Sequence, residues 1–283
     1  ILAGVSVAQP TELGNGVHIY PAADVPMLSL MQMIEDIRYS SLFLSEHPGA
    51  FLIKRFAHKR LHIVGDERNP TPFVFGPAED LRDAHLCMSV VGLVGPQIIA
   101  YGTQVGDKTP NPGGLGWALP MHRSVGISKN ISQNLLDQIK QIHEAFSVLP
   151  EEVKHKLRIP MERINNYAAL KDPVDKAIEL GVALEALFLE DNNRSELRYQ
   201  FSLRAATLLG TDAGSRHEIF DLMKTMYDLR SQAVHNGRIP KKLAEKAPDL
   251  MEKVAPLATK AVRYMIEEQG VDWKALILGT TEQ

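Results

Sequence analysis

Residues 215–237 read SRHEIFDLMKTMYDLRSQAVHNG, and this stretch decides the fold. Ile219, Leu222, Met226, Leu229 and Ala233 recur at steps of three and four, the spacing of one buried helix face. Phe220, Met223, Tyr227, Arg230 and Val234 form a neighbouring stripe. Ser215 is read as the start of this helix. Asn236-Gly237, with Pro240 just beyond, supplies its stop. Arg230 interrupts an apolar surface, and burying its charge alone is costly. Its partner is either Glu185, on an earlier helix, or an anionic ligand. His235 lies in the last turn, where the partial negative charge of a helix end favours cations. The Arg230–His235 spacing corresponds to ~140° around an ideal helix, so the two flank a groove rather than stack.

Upstream, the helical period holds back to residue 132. Ser132 is a good N-cap for Leu135, Leu136, Ile139, Ile142 and Phe146. A short helix is expected after Pro150, and another from Pro160 to about Leu170. Asp172 caps the next, with Pro173 at its first position. Asn193 is read as the cap of a helix through Leu208 that Gly210 stops, and a final long helix spans Leu250 to Glu268. Before residue 125 the punctuation changes. Leu13-Gly14-Asn15-Gly16, His47-Pro48-Gly49, Asn69-Pro70-Thr71-Pro72 and Pro110-Asn111-Pro112-Gly113-Gly114 mark turns. Between them lie short β-like runs at Val17–Tyr20, Leu61–Val64, Phe73–Phe75 and Ile98–Tyr101. Helices are expected there over Met27–Leu44 and Ala78–Val90.

The bulk numbers narrow the function classes. The chain has 283 residues, enough for one large domain or two ordinary ones, and its 45% apolar content supports a packed core. A net charge of −3 speaks against a globally basic nucleic-acid binder, so any such contact needs a local patch. The single cysteine, Cys87, forbids an intrachain disulfide and suits a reducing cytoplasm. No apolar run of ~18 residues is present, so no membrane span is expected. The opening ILAGVSVAQP lacks a basic leader region and lacks Met, which reads as a chain with residues missing upstream. His58 and His62, with Asp66 or Glu67, make a poor metal set. Gly113-Gly114-Leu115-Gly116-Trp117 fits no nucleotide-binding fingerprint, Cys87 reads as core, and His18, His122 and His143 have no partner visible from sequence.

Three segments together carry a family resemblance: ALEALFL at 183–189, SELRYQFSLRAATLLG at 195–210 and YDLRSQAVHNG at 227–237. This part of the chain, from about Ala177 to Val262, resembles the Apea-like HEPN family. Arg230 and His235 match that family's R-x4-H motif. The resemblance implies a helical bundle that pairs with a second copy. In active members the Arg and His of both copies line one cleft and cut RNA without metal. Many such proteins serve in antiviral defence or toxin systems. Active members often carry Asn, Asp or His after the Arg; here it is Ser231, a weaker polar group.

The chemistry is self-consistent. Attack by the RNA's own 2′-hydroxyl needs a base, an acid for the leaving oxygen, and positive charge for the phosphorane. A two-fold dimer supplies two His and two Arg in one place. The expected fold class is therefore α+β. A mixed α/β domain over residues 1–130 precedes an all-α, HEPN-type bundle within 131–283, its core at about 172–270. The expected activity is a metal-independent endoribonuclease acting as a homodimer; the alternative is a non-catalytic nucleotide- or RNA-binding or dimerisation module. Arg230 and His235 are the expected catalytic pair. Ser231, Tyr227, Glu185, Arg198, Arg204 and Asn236 are the supporting or RNA-binding candidates, with Arg194 as further charge and Tyr199 or Phe201 as stacking surfaces. Expected partners are single-stranded RNA and a second copy, paired through Met223, Tyr227, Arg230 and Val234. No cofactor, metal or membrane is expected, and the expected location is the cytoplasm.

Overall fold

The computed structural model describes residues 2–25, 49–55, 78–98, 129–189 and 196–279. The fold is α+β, with a small sheet near the start and helices for the rest. Strands β1 (Leu2–Ala3), β2 (Val5–Val7), β3 (Thr11–Glu12), β4 (Val17–Pro21) and β5 (Ala50–Lys54) come first. Helix α1 (Ala78–Gly92), β6 (Gln97–Ile98) and β7 (Lys129–Ile131) follow. Then come α2 (Gln133–Ser147), α3 (Glu151–Ala169), α4 (Pro173–Phe188), α5 (Leu197–Leu209), α6 (Ala213–Asn236), α7 (Lys241–Ala244), α8 (Ala247–Glu267) and α9 (Trp273–Leu278). None of the described helices is long and apolar enough to cross a membrane.

The main sheet runs β3-β4-β5-β1-β6, antiparallel throughout. Its first hairpin closes through Gly14, Asn15 and Gly16, all at positive φ, which glycine and asparagine tolerate best. In β4 the alternation turns Val17 and Ile19 inward while His18 and Tyr20 stay half-buried. β2 pairs in parallel with β7, Val5 opposite Lys129 and Val7 opposite Ile131. The boundary expected at residue 130 thus falls inside a strand. One continuous core takes in Leu2, Val5, Ile19, Leu86, Ile139, Leu184, Met226 and Val262.

Polar groups tie the sheet-bearing part to the bundle. Arg158 of α3 grips Asp83 of α1 with two parallel bonds, Nε to Oδ1 at 2.8 Å and Nη2 to Oδ2 at 2.9 Å. Ser89 of α1 donates to Asn165 of α3. His85 of α1 meets the Pro96 carbonyl at 2.6 Å, and His143 of α2 meets the Leu13 carbonyl at 2.8 Å. That contact supplies the partner of His143 that the sequence did not show.

Several expected boundaries move. Pro160 does not begin a helix; it sits inside α3. A proline forfeits one backbone bond and strains the turn before it. Here one face of α3 buries Leu157, Pro160, Met161 and Ile164, and that burial holds the helix through the break. Ser215 does not start α6. Asp212 caps it, accepting from the Ser215 backbone N–H at 2.9 Å, while the Ser215 hydroxyl accepts from the Asp212 N–H at 3.0 Å. Helix α5 starts at Leu197 rather than near Asn193, which lies outside the described residues. The short helices α7 and α9 were not anticipated. Ser132 and Asp172 cap α2 and α4 as read from sequence. The Met27–Leu44 helix, the Leu61–Val64 and Phe73–Phe75 runs, the His58–His62 pair, His122 and the 113–117 loop all lie outside the described residues.

Candidate functional site

Helix α6 is the axis of the site. Its inner face, Ile219, Met223, Met226, Leu229 and Ala233, is buried. One edge of that face packs against α4 at Gly181. A Cβ there would stand 2.2 Å from Cγ of Arg230 and 2.6 Å from its Cβ, so the absent side chain is what lets the arginine stem lie on the α4 backbone. One turn further along α4, Glu185 takes the guanidinium, Nη2 to Oε2 at 2.8 Å. The side chains are 25% and 23% exposed, so the pair is half-buried. Glu185 is thus the partner, as one of the two sequence alternatives held. Burial pushes the Glu185 carboxyl above its ordinary pKa, and the pull of Arg230 does not cancel that. The Nε of Arg230 is buried without a hydrogen-bond partner among the described residues.

Gly181→Ala is therefore expected to destabilise by about 1–3 kcal/mol through overpacking, although alanine favours a helix interior over glycine by about 1 kcal/mol. Adding Arg230→Ala removes Cγ and the rest of the stem but keeps the Cβ at 2.6 Å, so it should recover only part of the loss in urea denaturation. Equal stability of Gly181→Ala and wild type would show that the two helices do not meet this closely in solution.

His235 sits in the last turn of α6, exposed, with no hydrogen bond or ion pair to a described residue. Gly237 ends the helix at φ 61°, and Asn236 donates to Gln232 at 2.6 Å. Arg230 faces α4 while His235 faces outward. Neither of them lines the groove between α5 and α6. Ser231 is half-buried beside Arg230.

The opposite edge of α6 meets α5 and forms a groove of about 800 Å3 lined by Glu196, Leu197, Arg198, Tyr199, Phe220, Lys224 and Tyr227. Tyr199 is 54% exposed and stands edge-on to Phe220, ring centroids 5.8 Å apart. Tyr227 packs on Phe201 at 5.6 Å and presents its other side to the groove. Arg198 pairs with Asp228, yet its Nε is buried with no partner among the described residues. Lys224 is exposed.

The structure sorts the sequence candidates. Arg198, Tyr199 and Tyr227 come together in the groove. Phe201 is core, 1% exposed, edge-on to Phe188. Arg204 is not at the surface either. It is buried, donates to the Phe188 carbonyl at 3.0 Å and lies over the Trp273 ring. That packing takes it out of any cleft. Arg194 lies outside the described residues. Met223, expected on a pairing face, is fully buried, so only Tyr227 and Val234 of that stripe remain for a partner, together with the paired Arg230. Phe220 and Lys224 were missed as site residues, because nothing in their spacing says where α5 crosses. Gly181 was missed as well, though a glycine inside an apolar helix is a recognised sign of close approach. No protein-family model, curated protein or solved structure matches the chain.

Proposed function

We propose that the outer face of α6 binds single-stranded RNA, in a module of the HEPN type that the sequence resembles. The observation that carries this reading is the groove itself. It combines the exposed ring of Tyr199 and the half-buried ring of Phe220 with the exposed Lys224 and with Arg198, which pairs with Asp228. Stacking accepts any unpaired base, and nearby positive charge accepts its phosphate. The Glu185 pairing favours binding over catalysis, because Arg230 must release a carboxylate before it can hold a phosphorane. Tyr199→Ala should weaken binding of a labelled 20-nucleotide strand by about 1–3 kcal/mol, the usual value of one base–aromatic stack. Unchanged affinity in fluorescence anisotropy would remove the groove from the reading.

A second reading, metal-independent RNA cleavage by a homodimer, is favoured by His235. It is exposed and unpartnered among the described residues at the end of the motif helix. Two copies meeting there would bring two imidazoles to one phosphate. The assay is RNA cleavage in EDTA by wild type and His235→Ala. Cleavage by wild type alone supports it, and equal cleavage by both refutes it. A role in cytoplasmic antiviral defence or as a toxin belongs to this second reading.

A further inference from the structure

The turn after α6 carries charge opposite in sign to the whole chain. From Arg238 to Lys246 there are four cations, Arg238, Lys241, Lys242 and Lys246, and one carboxylate, Glu245, in a protein of net charge −3. All four cations are exposed, and their side chains make no ion pair or hydrogen bond with any described residue. The next carboxylate, Asp249, is taken by Lys253 at 2.9 Å.

The backbone explains why the charges face outward. Ile239 and Leu243 are half-buried against the core and Ala247 is buried within it, a four-residue repeat that anchors the turn from beneath. Between them Lys241, Lys242, Ala244, Glu245 and Lys246 are exposed. Gly237, left-handed at φ 61°, and Pro240, at φ −57°, fix the direction of the chain at this point. The cations therefore stand on an anchored turn immediately beyond His235.

We infer that Arg238, Lys241, Lys242 and Lys246 are the phosphate-binding end of an RNA path along α6, whose base-stacking end is the Tyr199–Phe220 groove. This rests on the RNA-binding reading above and divides the site in two. Lys224 and His235 are separated by eleven residues, roughly 16 Å of helix, a span of a few nucleotides. A lipid surface is the less suitable anion. Binding a bilayer calls for apolar groups beside the cations, and here Ile239 and Leu243 point into the protein.

The experiment uses the full chain with two strands of equal length, each 2′-O-methylated so that its own hydroxyl cannot cleave it. One carries bases and the other is abasic. Affinity is measured across a series of KCl concentrations for wild type, Lys241→Ala/Lys242→Ala and Tyr199→Ala. The double variant should lose roughly tenfold or more in affinity for both strands at low salt. Its salt slope should fall by about 1.4, at about 0.7 per phosphate contact on a single strand. Tyr199→Ala should lose affinity only for the strand with bases and keep the wild-type slope. If wild type binds RNA and the double variant matches it in affinity and slope, the phosphate role is wrong while the groove reading stands. If wild type binds neither strand, both fail. Tighter binding to phosphatidylserine vesicles than to RNA would assign the turn to a membrane and also overturn the inference.

Discussion

Arg158→Leu is expected to cost about 3–5 kcal/mol of folding stability, the usual result of stranding one member of a buried ion pair. Arg158 and Asp83 are 4% and 6% exposed, and two parallel bonds join them. Without the guanidinium the Asp83 carboxylate remains inside, beside the buried thiol of Cys87, and no other cation pairs with it among the described residues. Burial and the nearby Asp83 charge already push that thiol's pKa up. Asp83→Leu should be similarly harmful, since among the described residues it leaves the arginine with only the exposed Glu151 and the distant edge of Glu79. The double variant Asp83→Leu/Arg158→Leu removes both desolvation costs and should lie much closer to wild type. Urea denaturation of the four proteins tests this as one cycle. Purely additive losses would mean that the two groups are not coupled. Because the pair joins α1 to α3, its loss should loosen the N-terminal sheet before the bundle.

The second large effect concerns acid. Burial pushes the His85 imidazole down to a pKa of about 4, against the smaller opposing effect of its bond to the Pro96 carbonyl. An unfolded chain has this group near 6.5. Its folded value is depressed, so its stabilising contribution is complete above 6.5 and is lost as the pH falls toward 4. Across that window the unfolded chain takes up a proton that the folded chain refuses. The slope is about 1.4 kcal/mol per pH unit and the total about 3 kcal/mol. Glu185 acts in the opposite sense, since its raised pKa makes its ionised form the less favourable one in the fold. A His85→Gln variant isolates the histidine, because the amide can still donate to Pro96 without titrating. Stability plotted from pH 7 to pH 4 should fall less steeply for the variant. Parallel curves would show that the imidazole is solvated or charged in the folded protein.

Local chemistry was legible from the sequence; long-range meetings were not. The Ser132 and Asp172 caps, the Gly14–Gly16 turn and the end of α6 follow from residues within a few positions of each other. Glu185 was named as a partner for Arg230 because a cation in an apolar stripe needs one, and only a few carboxylates share the helical faces nearby. By contrast, Arg198 and Arg204 looked alike in sequence. They lie ~120° apart on an ideal helix, and which of them is buried depends on Phe188 and Trp273, which arrive from other elements. Pro160 was read as a boundary because proline disfavours the turn before it. The burial of its own face against α1 and α4 overrode that preference.

The pairing of Val5 with Lys129 has a consequence for the order in which the molecule is made. The two residues are 124 positions apart. At the usual 5–20 residues per second of synthesis, the first is added to the chain roughly 6–25 s before the second. Throughout that interval β2 is an apolar strand without its neighbour. Contacts of such sequence separation also slow folding once the chain is complete. The helical part, where α3 packs on α4 and α5 on α6 as successive helices, is expected to consolidate first and the strand to dock last. A truncated product ending before residue 129 would leave that edge open for association with other chains.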